Sequence, residues 1–359
     1  MRRSYVVLPA FVLALFVAQP LFAATYYVGS CKKGAFNTIS DAIATVPAGS
    51  TINICPGNYP EQVVISKALN LHGICSGNSC QATVYIPSGG LVTTSSITYY
   101  GTTAAQIQVT AGPVNISSIT VNGQALGSDC PSYPYIGVFY SSGSSGTVSN
   151  VETLYQWCQP FGRQSQGIGI VAENGTGVTQ SVTIENSNIN DFSDAGIVVN
   201  SGQEFSPSLT FVVRNNWVTG GNYGIMSLGS AQGIISGNVT QLGLAGVYAG
   251  APNVTVLGNT LLSGSIGIEI YSPAVTVSSN RIFNNFQAGI SLQSTNDTVQ
   301  NNTIMQVPIG IEFNCNAQTS GNVTGNIING VSTGLGMVPS GFAGVNKFFG
   351  VANVSTGCP

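Results

Sequence analysis

The stretch GSIGIEIYSPAVTVSSNRIFNN, Gly264 to Asn285, opens on glycine and isoleucine, alternates, turns at Pro273, alternates again and ends in asparagines. Four residues later the chain starts over at Gly289-Ile290. Gly-aliphatic pairs sit at Gly167-Ile168, Gly196-Ile197, Gly224-Ile225, Gly246-Val247, Gly267-Ile268, Gly289-Ile290 and Gly310-Ile311, at intervals of 29, 28, 22, 21, 22 and 21 residues. A second ladder runs out of phase with it: Asn216, Asn238, Asn259, Asn280 and Asn302, at intervals of 22, 21, 21 and 22. Two ladders at one period specify a solenoid, in which each unit buries its apolar face only by stacking on its neighbours.

The repeat holds runs of three to five residues with period two, separated by Gly, Asn, Ser or Pro, which reads as short strands between turns. No helical stripe lies within it, and no GGxGxD nonapeptide calls for calcium. The expected fold is all-β: a single-stranded right-handed parallel β-helix with two or three strands per coil. Roughly a dozen coils at about 4.8 Å each make a rod some 50 Å long. Glycine is expected where each coil turns a corner, for its backbone angle or for close approach. The aliphatic residue after it stacks inward on its equivalent one coil away. The asparagine amides hydrogen-bond from coil to coil.

A solenoid exposes its core at the ends. At the start, FNTISDAIATVPAGS puts Ile39, Ile43 and Val46 on one helical face after a polar Asn37-Thr38, with Pro47 as the stop, the pattern of a short capping helix. At the other end Lys347 to Pro359 lacks the repeat, and Cys358 is placed to pin that tail to Cys315.

Charged residues make up only 6% of the 359, against the usual quarter. That argues against a coiled coil, and the absence of a basic cluster excludes nucleic acid as a partner. Residues 1–24, MRRSYVVLPAFVLALFVAQPLFAA, have the build of a secretory signal peptide, with a membrane anchor as the alternative. Cleavage removes Arg2 and Arg3 and leaves 7 of the 9 basic residues against 12 acidic ones, net −5, with no later segment able to span a bilayer. The expected location is secreted, cell-surface or periplasmic. Eight cysteines in an exported chain suggest disulfides, and neighbour pairing gives 31–55, 75–80, 130–158 and 315–358. No metal or other cofactor is implied: the spacings fit no zinc knuckle, and His72, in the apolar LNLHGI, is the single histidine. The organisation is one domain over 25–359: cap and first coils at 34–74, a loop-rich insertion at 128–166, regular coils at 167–330 and a C-terminal cap at 331–359.

Gly34 to Ile74 resembles the opening of pectin-lyase-fold proteins, most of all pectin methylesterases, through Phe36-x-Thr38-Ile39-x-x-Ala42-Ile43 and the later Pro56-Gly57-Asn58-Tyr59-Pro60-Glu61. Residues 167–330 resemble the parallel β-helix repeat of secreted polysaccharide lyases, hydrolases and epimerases. The resemblance implies the fold and carries little activity, since one scaffold hosts many functions. Of the methylesterase motifs, Gly123-Gln124-Ala125 matches, Val151-Glu152-Thr153-Leu154-Tyr155 lacks the Gln-Asp, Asp191-Phe192-Ser193-Asp194 is partial, and the Arg-Pro-Trp is absent. The Asn-Thr-Asp, Asp-Asp and Gly-His-Gly of polygalacturonases are absent too.

Two regions stand out as sites. Arg163, Glu173, Glu185, Asp191, Asp194, Glu204 and Arg214 fall within 52 residues. Asp191 or Asp194 beside Arg163 or Arg214 has the residue types for glycosidic cleavage or uronate elimination; equally, DFSDAG suits a corner turn. Between Cys130 and Cys158 lie Tyr133, Tyr135, Phe139, Tyr140, Tyr155 and Trp157. Of these, Tyr133, Tyr135, Tyr155 and Trp157 are candidate sugar-stacking rings, or else cover for irregular coils. The sequence thus points to a β-helix that binds, and as a lyase or hydrolase modifies, polysaccharide on its flank. The alternative is a non-catalytic structural or adhesive rod. The partner is a polysaccharide or the cell-envelope surface.

Overall fold

The computed structural model describes residues 24–358 except 77–78, 81, 99–100, 126–132, 142, 158–166, 203–208, 242, 316–320 and 341–343. Among the described residues the chain winds through three sheets in fixed rotation, with 12, 12 and 13 strands. A typical coil places Thr255–Leu257 on the first face, Thr260–Leu262 on the second and Ile266–Ile270 on the third. Successive coils pair in parallel register, as in Ile268↔Ile290 and Ile290↔Ile311. This is the expected right-handed parallel β-helix, with three strands per coil.

The lumen is a set of side-chain columns. On the third face Ile225, Val247, Ile268, Ile290 and Ile311 follow one another in register and are fully buried. Glycine precedes each, inside the strand rather than at a corner. The reason is close approach: a Cβ on Gly289 would lie 2.7 Å from the Gly310 carbonyl oxygen and 2.5 Å from the Ile304 side chain. The ladder's true member near its start is Gly169, not Gly167, because Ile170 pairs with Ile197. GIGI offers two registers, and the sequence pattern selects the wrong one.

Asparagines form the corner between first and second faces. Asn259 donates from Nδ2 to Asn280 Oδ1 at 3.0 Å and to the Ile235 carbonyl at 2.9 Å. Its own Oδ1 accepts from Asn238. The ladder continues past Asn302 to Asn326 and Asn346. The left-handed turn residue is the one before each asparagine from Asn216 to Asn326, for example Gly258 with φ 64° and Ser279 with φ 58°.

The N-terminal end is capped by the helix Ile39–Thr45, with Ile39, Ala42 and Ile43 buried and Thr38 Oγ1 accepting from Asp41 N. Glu61 completes the cap: its carboxylate accepts from Ile39 N at 2.8 Å and Ser40 N at 2.9 Å. Carboxylate oxygens thus satisfy helix N–H groups that have no partner within the helix. Tyr59 Oη donates to the Cys55 carbonyl at 2.8 Å, so the motif residues of the family resemblance serve here as a structural clasp. His72 is held against Ser117 Oγ at 2.9 Å, a satisfied structural side chain.

Two boundaries differ from expectation. Within 128–166, Tyr135–Tyr140, Gly146–Ser149 and Glu152–Leu154 form a complete coil. Its third-face strand is buried on both sides, which erased the alternation. The tail also continues the solenoid: Lys347–Phe349 pairs with Ile327–Asn329, and Asn353–Gly357 with Thr333–Val338. Disulfides join Cys31 to Cys55 and Cys315 to Cys358. Cys75 is disulfide-bonded and faces Cys80 across a two-stranded hairpin. Cys130 and Cys158 lie outside the described residues.

Candidate functional site

The third face carries two outward columns beside the lumen. In the upper coils both are buried: Ile136, Phe139, Ile168, Val171, Ala195 and Val198 form an apolar cluster separate from the main core. The segment 91–98 is tied to this face. Glu173, buried, accepts from Ser96 Oγ and Thr98 Oγ1 at 2.7 Å each, and from Ile97 N and Thr98 N at 3.1 Å. Asn200 adds a bond to Thr98, and Gln62 holds Val92 from both its amide atoms.

Below Tyr223, Met226 and Leu228 one column stays buried, through Ala245, Ile266 and Ala288, while the other turns polar and half-exposed at Tyr248, Glu269 and Glu312. The register runs Met226, Tyr248, Glu269, Ser291, Glu312. Tyr223 and Tyr248 meet edge to face, centroids 5.6 Å apart, and Tyr248 stacks on Tyr271 at 5.4 Å. Asn314 donates to Gln293 at 2.9 Å, and Gln293 to Ser291 Oγ at 2.7 Å. Glu269 and Glu312 are two register steps apart, about 9.6 Å along the axis.

Burial lifts the Glu269 carboxyl above the usual carboxylate range. Burial, then the Glu269 charge, pushes the Tyr248 phenol up to about 12. Tyr223 is raised for the same reasons, with a further contribution from Asp194. A row of half-exposed phenols beside a carboxyl of raised pKa can stack sugar rings and move a proton.

The expected site residues divide. Asp194 lies beside Tyr223 at the upper end of this row: its carbonyl accepts from Asn222 N at 2.8 Å and Tyr223 N at 2.9 Å. Asp191 is exposed at φ 53°, the left-handed corner after a second-face strand, as a turn residue would be. Arg214 leaves from the first face and pairs with Glu185, its Nε at 2.6 Å; the structure does not bring it to the aspartates. Arg163 lies outside the described residues. Tyr155 occupies the corner equivalent to Asp191, at φ 56° and exposed. Tyr135 is fully buried and its phenol is raised by that burial, so it offers no ring to a ligand. Tyr133 and Trp157 are half-buried, with Tyr133 Oη donating to the Leu91 carbonyl at 3.4 Å.

Glu269 and Glu312 were missed, though both follow a Gly-Ile pair in the repeat, at Gly267-Ile268 and Gly310-Ile311. In a strand of period two, an inward isoleucine puts the next residue outward. Two glutamates at one repeat position in a chain this poor in charge was the available signal. A concavity of about 580 Å³ lies on the upper second face, lined among others by Asn58, Tyr85, Asn122 and Glu152.

The fold defines the class as a right-handed parallel β-helix. The profile of the family described as "Right handed beta helix region" matches residues 208–347. The A-module of a mannuronan C-5 epimerase from Azotobacter vinelandii is similar at 16% identity and TM-score 0.54, over 88% of this chain and 89% of that one. The catalytic unit of a thermostable alpha-1,3-glucanase from Streptomyces thermodiastaticus is similar at 18% identity and TM-score 0.55, over 94% and 69%. The Dettilon tailspike protein is similar at 15% identity and TM-score 0.59, over 88% of this chain and 64% of that one. At these identities the likeness is one of fold. No curated protein matches the chain in sequence.

Proposed function

We propose that this is an exported protein that binds polysaccharide along the open part of the third face and cleaves it by hydrolysis. The observation that carries the reading is the register of Tyr248, Glu269, Ser291 and Glu312 down one outward column. Tyrosine faces stack sugar rings, and half-buried Gln293 and Asn314, with Gln293 anchored on Ser291, offer partners for hydroxyls. The backbone separation of the two glutamates, about 9.6 Å, is near the roughly 6.5–9.5 Å between carboxyls that leaves room for a water in inverting glycosidases. Glu269, with its raised pKa, suits the acid. Its proton goes to the glycosidic oxygen as the bond to the anomeric carbon breaks. Glu312 takes a proton from the water whose oxygen forms the new bond. Asp194 bounds the groove at its upper end. Two fold neighbours named as a glucanase and an epimerase of polysaccharides fit this class, and the disulfides fit export.

A panel of polysaccharides, scored for binding and for new reducing ends, tests the proposal. Products that vanish in Glu269→Gln support it. Binding without product reduces the protein to a carbohydrate-binding surface, and silence in both channels rejects it.

A second reading, the non-catalytic adhesive rod, is favoured by one observation. On the second face Leu262, Phe283 and Met305 follow one another in register, with Phe349 two coils on. Half-buried to exposed, they form an apolar strip of the kind that marks contact surfaces.

A further inference from the structure

We infer that the groove of Tyr248, Glu269 and Glu312 takes an uncharged glycan and rejects polyuronates; this rests on the polysaccharide reading above. Among the described residues the charge on the third-face strands is one-signed. Asp194, Glu269 and Glu312 border or line the open groove, and among the described residues no strand of that face bears a lysine or arginine.

The cations whose places are described lie elsewhere, Lys32 and Lys33 together near the N-terminal end. Arg214 is paired to Glu185 on the first face. Arg281 lies over the Phe283 ring on the second face, and Lys347 is on that face too. Lys67 Nζ donates to the Val46 carbonyl beside the cap, and Lys32 lies over Tyr27 near the N-terminal end. A polyuronate presents one carboxylate per sugar. Binding it here sets like charges against the Glu312 carboxylate and opposes ionisation of half-buried Glu269, with no described cation on that face to offset them, and such repulsion is stronger than in open water. A neutral glycan meets no such repulsion. Its ring faces match the tyrosines, and its hydroxyls match Glu312, Gln293 and Asn314 as acceptors and donors.

The test measures affinity of the full mature protein, disulfides intact, for soluble glucan, mannan and arabinan, and for alginate and polygalacturonate. Each is run at low and high salt, with added calcium or with chelator. The expected result is at least one neutral glycan bound tenfold or more tighter than either polyuronate at low salt. The gap should narrow at high salt, as screened repulsion must. In Glu269→Gln/Glu312→Gln the polyuronate affinity should rise at least threefold; if that variant fails to fold, the salt series on the wild type decides alone. A polyuronate bound as tightly as any neutral glycan, with or without calcium, overturns this inference and leaves the polysaccharide reading standing. No binding to any glycan in the set overturns both.

Discussion

Tyr248 stacks on Tyr271 of the next coil, with centroids 5.4 Å apart and planes 27° from parallel. Tyr271 is 54% exposed, so its ring contributes little to the core and much to the surface the groove presents. Tyr271→Ala is expected to shift folding stability by no more than about 0.5 kcal/mol. It should weaken glycan binding by about 1 kcal/mol, roughly fivefold. Calorimetric titration with a bound glycan and thermal unfolding separate the two effects. A stability loss without a binding loss would make the pair a packing contact only.

Glu269 carries a pH signature. Burial raises its pKa in the native state, so the folded protein holds this proton more tightly than the unfolded chain does. Below the unfolded value, about 4.3, both states are protonated and nothing is lost. As pH rises through the native pKa the buried charge must form, and stability falls. Glu269→Gln is therefore expected to leave the denaturation midpoint unchanged near pH 4 and to raise it near pH 8. The gain should be below about 1 kcal/mol, since the half-exposed group is screened by solvent. An equal shift at both pH values would remove the assignment.

Much of this fold was legible because stacking demands periodicity. The Asn259–Asn280 bond and the Ile268–Ile290 contact are each a ladder step of 21 or 22 residues read directly from sequence. The coil at Tyr135–Tyr140 escaped because burial on both sides removes the period-two signal. Lys347–Phe349 escaped because its coil has Val354-Ser355 where the ladder has a Gly-aliphatic pair, although Asn346 still keeps the asparagine ladder. The site was less legible. Clustering of charge along the chain drew attention to Asp191 and Arg214, but a solenoid brings together residues one repeat apart. Proximity therefore follows register, which links Tyr248 to Glu269, and not density along the sequence.

The two roles of glycine predict different costs. Alanine at Gly289 drives its Cβ to 2.7 Å from the Gly310 carbonyl and 2.5 Å from Ile304, and the packed wall has little room to move. A loss of about 2–3 kcal/mol is expected. At Gly258 no atom lies within 4 Å of the added carbon, but φ is +64°, so alanine should cost about 1 kcal/mol of backbone strain. Gly258→Asn should recover most of that, because asparagine tolerates this conformation. Denaturant midpoints rank the three variants, and a Gly258→Ala loss larger than that of Gly289→Ala would contradict the steric account.

The asparagine ladder should be unforgiving in its middle. Asn259→Ala leaves the buried Asn238 N and Nδ2 without their acceptor and the Ile235 carbonyl without its side-chain donor, while Asn280 Oδ1 keeps only the backbone N–H of residue 259. Each unsatisfied buried group costs about 1–3 kcal/mol, so a loss of at least about 3 kcal/mol is expected. Asn346→Ala, at the half-buried end, leaves only the Asn326 N and Nδ2 donors and the Val323 carbonyl to find new partners. Solvent can replace those bonds, and the loss should be below about 1.5 kcal/mol. Equal losses at the two sites would show that the ladder acts locally and not as a buried chain.

Glu173 sets what the upper third face shows to solvent. Its carboxylate gathers four donors from Ser96, Ile97 and Thr98, and the apolar Ile136, Val171 and Val198 on the same face are fully buried. Hydrogen bonds to a charged group contribute about 1.5–3 kcal/mol each, but a surface segment freed from them regains chain entropy. The expected result of Glu173→Ala is therefore local release of 91–98 with a global loss of only about 2–3 kcal/mol. Protease cleavage within 91–98 should accelerate at least tenfold, and a dye that reports apolar surface should bind the folded variant. The Asn259–Asn280 ladder below should keep its hydrogen-exchange protection. If exchange accelerates through the whole solenoid together, the segment is part of one cooperative unit and not a separable cover.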